Sequence, residues 1–116
     1  MRLELQLHDA VCVLRLHGRF VTGSDAELVA TRNSLQEAGI DKAIIDLSSV
    51  PYIDSTGLAF VVELHKSLTG RGGQLFLASA NPRIREVLQI TRISEIVPLF
   101  EDVEDAETAL RGEVLC

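Results

Sequence analysis

The sequence predicts an α/β fold: a mixed, mostly parallel sheet that opens with an antiparallel hairpin and has helices packed on it. The expected order is β-β-α-β-α-β-α-β-α. Two apolar runs near the start are joined by a link too short for anything but an antiparallel turn. After them, helical and strand periodicities alternate to the end of the chain. Such alternation gives parallel neighbours, because each connection crosses back over the sheet and lays its helix against it.

Leu3, Leu5 and Leu7 alternate with polar residues, the period of a half-buried strand. After His8-Asp9 a second run follows, Val11 through Leu16, ended by Gly18. A parallel return needs about a dozen residues, so these two strands form a hairpin. Ser24 or Asp25 then caps a helix carrying Leu28, Thr31 and Leu35 on one side and stopping near Gly39. Ala43-Ile44-Ile45-Asp46-Leu47 reads as a buried strand. Residues 56–69 read as a helix with Leu58, Val61, Val62, His65 and Leu68 on one face, closed by Gly70. Residues 74–78 are the next strand. Asn81-Pro82 places a capping side chain before a proline at the first helical position, and Ile84, Val87 and Leu88 follow at helical spacing. A short strand over residues 96–99 precedes a last helix, capped by Asp102 and ending at Gly112.

The 116 residues fit one domain, and no linker, repeat or low-complexity tract divides them. With 47% hydrophobic and 24% charged residues, the chain has enough apolar surface for a core and enough charge to stay in solution. A net charge of −6 argues against direct nucleic-acid binding, which needs clustered cations. No apolar run approaches the roughly 20 residues of a membrane span, and residues 1–6 alternate instead of forming a signal-peptide core, so the cytoplasm is expected. Cys12, inside Val11-Cys12-Val13-Leu14, reads as a buried structural thiol, and Cys116 is the last residue. With His8, His17 and His65 scattered singly, zinc-ligand spacing is missing, and neither metal nor cofactor is expected. Gly70-Arg71-Gly72-Gly73 follows a helix and leads into a strand, the reverse of a phosphate loop. It reads as a turn.

The chemistry concentrates between Ile45 and Leu58, where a strand runs through Ser48-Ser49-Val50-Pro51-Tyr52-Ile53 into Asp54-Ser55-Thr56-Gly57-Leu58 and directly into a helix. Ser55 falls at the helix start, where free backbone N–H groups and the positive dipole end favour negative charge. Asp54 and Ser55 are both also ordinary N-cap residues. Further along, Ala59 or Phe60 is a candidate for an apolar docking patch beside Ser55.

This stretch closely resembles the signature of the STAS family of anti-sigma factor antagonists. The likeness extends to Gly18-Arg19-Phe20, to Gly70-Arg71-Gly72-Gly73-Gln74-Leu75, to Pro82 through Ile90, and to Asp102-Val103-Glu104-Asp105-Ala106. It implies a STAS-like sandwich and a protein-binding role, and with no plausible triad, metal cluster or nucleotide loop in the sequence no catalytic activity is expected. The implied partner is an anti-sigma factor with kinase activity, bound when the antagonist is unphosphorylated so that the sigma factor is released. Ser55 is the implied phosphorylation site, with a phosphatase resetting the cycle, and Asp54, Thr56 and Gly57 shape the same loop. The family often carries an acid shortly after the glycine that ends the second strand. Val21 stands there in this sequence, with Asp25 a few residues on, and this departure bears on recognition by the kinase. STAS-like domains also serve as subunits of lipid-transport assemblies and as regulatory parts of membrane transporters, the alternative reading.

Two catalytic readings fit less well. A serine nucleophile elbow needs Gly-x-Ser-x-Gly, yet Ile53 takes the first glycine position. His65 lies ten residues along the same helix, roughly 15 Å away at 1.5 Å per residue. A phosphoaspartate receiver with Asp46 as acceptor would open strand–helix and carry an acidic pair, whereas this chain opens with a hairpin. Asp46 is expected to organise structure.

Overall fold

The opening hairpin and the alternation after it build one five-stranded sheet in the order β1-β2-β3-β4-β5. The computed structural model describes residues 2–8, 11–18 and 25–110, without the side chains of Arg2, His8 and residues 25–28. The elements are β1 (Arg2–His8), β2 (Val11–His17), α1 (Asp25–Glu37), β3 (Lys42–Ser49), α2 (Ser55–Thr69), β4 (Gln74–Ala78), α3 (Pro82–Ile90), β5 (Leu99–Phe100) and α4 (Val103–Leu110). β1 pairs antiparallel with β2, and β2 through β5 are parallel. The predicted fold class and element order are those observed.

Because the strands are added in one direction, crossovers of constant hand put α1, α2 and α3 on the same side. Their inward residues Leu35, Val61, Leu64, Leu68, Ile84 and Leu88 share one core with Leu14, Ile45 and Leu77 of the sheet. α4 returns to the opposite side, where Ala106 and Leu110 pack with Val11, Ile44 and Phe76. Full burial of each large aliphatic side chain contributes about 1.5–3 kcal/mol, so the three-helix side holds most of the stability. β1 places Leu3, Leu5 and Leu7 opposite Leu16, Leu14 and Cys12. Leu3 packs on the core, whereas Leu5 and Leu7, out at the sheet edge, stay exposed.

The last strand differs from expectation. Residues 96–99 were to form it, but it covers only Leu99 and Phe100. The N–H groups of Ile96 and Val97 both donate to the Ile93 carbonyl, at 2.9 and 2.8 Å, closing a 3-10 turn over Ile93–Glu95. Pro98 has no N–H to offer a ladder, so pairing begins only beyond it, at Leu77↔Leu99. The expected cap at Ser24 and the end of the last helix at Gly112 lie outside the described residues.

α3 ends with Thr91 as C-cap and Arg92 in the left-handed region at φ 62°. A glycine adopts that conformation without the clash between Cβ and carbonyl. Arg92→Gly is therefore expected to raise stability by about 0.5–1 kcal/mol, read as a higher denaturation midpoint at unchanged slope. A lower midpoint would contradict it.

Candidate functional site at the start of α2

Residues 50–54 join β3 to α2, and two apolar anchors fix their path. Val50 and Ile53 are buried in the three-helix core, while Pro51 and Tyr52 between them are exposed. The Val50 N–H donates to the Leu47 carbonyl at 3.0 Å, turning the chain as it leaves the sheet. Asn81, the cap of α3, reaches across and donates from its side-chain amide to the carbonyls of Val50 and Pro51, at 3.3 and 3.4 Å.

Asp54 settles the capping question left open by the sequence. Its backbone is extended (φ −114°, ψ −170°), and its Oδ1 accepts from the N–H groups of Thr56 at 2.9 Å and Gly57 at 3.2 Å. Asp54 is the N-cap and Ser55 the first helical residue. This corrects the expectation of free N–H groups at the helix start, since the Asp54 carboxylate already engages two of them. Ser55 is exposed. A phosphoryl group there would stay solvated, with the helix dipole in its favour and the Asp54 carboxylate against it.

The other site residues divide by helical face. Ala59, one turn beyond Ser55, is exposed; Thr56 and Leu58 are half-buried. Gly57 and Phe60 belong to the inner stripe with Val61, Leu64 and Leu68. Phe60, 7% exposed, sits in the core and so cannot form the docking patch for which it was a candidate. The three-to-four-residue spacing of that stripe assigns it inward. Val21 lies outside the described residues. His65 lines a pocket with Thr69, Gln74, Phe76 and Pro98, at the end of α2 remote from Ser55.

Asp46 organises the strand that feeds this loop, as expected. Its side chain is buried beside Arg15, its register partner on β2, whose Nε donates to Oδ2 at 2.9 Å. The Ser48 N–H donates to Oδ1 at 3.0 Å. Burial pushes the carboxyl up, but the Ser48 N–H, the Arg15 guanidinium and the Ser48 hydroxyl outweigh it and hold Asp46 below the usual carboxylate range. Cys12 is buried and free, and burial pushes its thiol up. Among the described residues no group of three or more His, Cys, Asp or Glu side chains has metal-binding geometry, and no helix is long and apolar enough to cross a membrane.

Two features escaped the sequence reading. One is the reach of Asn81 to the Ser55 loop, where the choice of Asn, a cap that also has donors, was the available signal. The other is the Arg15–Asp46 pair, signalled by an arginine and an aspartate each interrupting an apolar strand.

The fold is a five-stranded mixed sheet with three helices on one side and one on the other, and an exposed serine stands at the first position of α2. The family model of the STAS domain matches residues 2–106, and the chain belongs to that family. The anti-sigma F factor antagonist of Paenibacillus polymyxa is 22% identical over 111 residues, covering 95% of each chain. The crystal structure of an anti-sigma factor antagonist from Mycobacterium paratuberculosis superposes with a TM-score of 0.86 at 24% identity, over 95% of this chain and 93% of that one. The Bacillus cell fate determinant SpoIIAA in its phosphorylated form gives a TM-score of 0.75 at 20% identity, over 95% of this chain and all of that one (100%).

Proposed function

We propose that this protein is an anti-sigma factor antagonist that binds a kinase-type anti-sigma factor and is switched off by phosphorylation of Ser55. The observation that carries the reading is the exposed position of Ser55 at the first turn of α2, following a loop anchored by Val50 and Ile53. The relative from Paenibacillus polymyxa bears the same functional name, and the phosphorylated SpoIIAA has a comparable fold. The docking surface comprises Ser55 and Ala59, with Asp54, Thr56 and Gly57 fixing the backbone beneath them. The protein acts in the cytoplasm by binding and not by catalysis, and a phosphatase restores the free serine.

Phosphorylation adds about 1.5–2 negative charges and three acceptor oxygens beside the Asp54 carboxylate. The helix stays formed, because the phosphoryl group remains in water. Docking suffers, because a partner packed over Ser55 must desolvate that charge. Isothermal titration against the anti-sigma factor is expected to give equal affinity for wild type and Ser55→Ala. Ser55→Asp should bind about tenfold more weakly, a difference of 1.4 kcal/mol, and the phosphorylated protein more weakly still. Melting curves of all forms should agree within a few degrees. Equal affinity across the series would refute the switch.

A further inference from the structure

We infer that Asn81 is the positioning residue of the Ser55 loop, holding it in its docking shape through the side-chain amide while its carbonyl oxygen caps α3; the docking role rests on the reading of Ser55 above. The β3–β4 ladder ends at Asp46↔Ala78. Beyond it β4 turns off the sheet at Ser79, a non-glycine residue at φ 64°, whose N–H donates to the Phe100 carbonyl and not to β3. The carbonyls of Val50 and Pro51 lie beyond the end of β3 and take no part in the ladder, and a buried residue's carbonyl such as that of Val50 needs a donor.

Asn81 fills that place. Its Oδ1 accepts from the Ile84 N–H at 2.8 Å, which fixes the amide orientation, because a flipped amide would set donor against donor. The Nδ2 group must then face the loop, where it meets both carbonyls. Each of these bonds is long, but together they hold two consecutive residues, Val50 at the end of the Leu47 turn and Pro51 after it. One side chain therefore couples the first turn of α3 to the segment presenting Ser55. Capping alone would be served as well by Ser, whose hydroxyl is too short to reach the loop, or by Asp, whose carboxylate has no donor.

That difference separates the two roles. Asn81→Ser keeps a neutral cap and loses the reach; Asn81→Asp keeps a cap of the same size and replaces the amide donors by an acceptor. In the isolated protein, amide hydrogen exchange at Val50, Thr56 and Gly57, whose N–H groups are hydrogen-bonded at the two ends of the loop, is expected to quicken about tenfold or more in both variants, with Ile84 and Arg85 nearly unchanged. Titration against the anti-sigma factor should then show affinity about tenfold lower in both, with the melting temperature lowered by only several degrees as the Val50 carbonyl loses its donor. Unchanged loop exchange, or exchange rising equally through α3, would overturn the positioning role. Faster loop exchange with full affinity would overturn its part in docking. The exchange measurement needs no partner, so it decides the role of Asn81 even if the anti-sigma factor reading fails.

Discussion

Gly73→Ala is expected to cost about 3 kcal/mol of folding stability, a large effect for one added methyl group. Gly73 is buried where the turn after α2 feeds β4, and its N–H donates to the Leu68 carbonyl at 2.8 Å. The next residue, Gln74, donates to the Asp41 carbonyl at 2.9 Å, starting the β3–β4 ladder at Lys42↔Gln74. A Cβ built on Gly73 falls inside the Asp41 carbonyl group, and that neighbour is backbone, with no rotamer to escape into. Either the first rungs of the ladder separate or the turn detaches from α2. Gly39 is the contrast: its φ of +71° favours glycine, yet open space surrounds it, so an alanine there meets only the left-handed strain of about 1 kcal/mol. Urea denaturation of both variants checks the comparison, and a loss under about 1 kcal/mol for Gly73→Ala would mean that the two strands part easily.

That glycine also marks how far the sequence was legible. Residues 70–73 read correctly as a turn, because glycine clusters punctuate a chain whatever their surroundings. That Gly73 alone must lack a side chain depends on Asp41, which is brought to it only by strand pairing. The same division holds elsewhere. The hairpin, the order of helices and strands, and the position of Ser55 at a helix start follow from local periodicity and cap chemistry. The length of β5 does not, since Ile96 and Val97 are apolar enough for a strand and are held out of it by a turn bond to Ile93. At the site, Asp54 and Ser55 were equally good caps in sequence, and only the backbone at Asp54 separates them. Phe60 was assignable to the inner stripe from its spacing to Val61, Leu64 and Leu68, but the run around it is apolar on every side. Asn81 was legible as a cap and silent about the loop, a contact made across the sheet end by 30 residues of separation.

Asp46→Ala is expected to destabilise the fold by about 2 kcal/mol at neutral pH. The carboxylate is buried, and without it the Ser48 N–H and the Arg15 guanidinium lose their acceptor. The loss stays below that of breaking a fully buried ion pair, because the Arg15 side chain is 34% exposed and water partly replaces Asp46. Asp46→Asn isolates the charge: it keeps an acceptor for Ser48 but turns an amide towards Arg15. The native surroundings hold the Asp46 carboxyl below its usual range. On lowering the pH, the unfolded chain therefore takes up the proton first, at about pH 3.9, and the native state only at a lower value. The stabilisation from the charge is then complete above the unfolded value and is lost as the pH falls through the native one. The advantage of wild type over Asp46→Asn should accordingly be constant from neutral pH down to about pH 5 and shrink below it. Denaturation midpoints of the two proteins across that range test the sign directly. An advantage that grows on acidification would show that Asp46 is held protonated in the fold, and the ion pair with Arg15 would have no part in its stability.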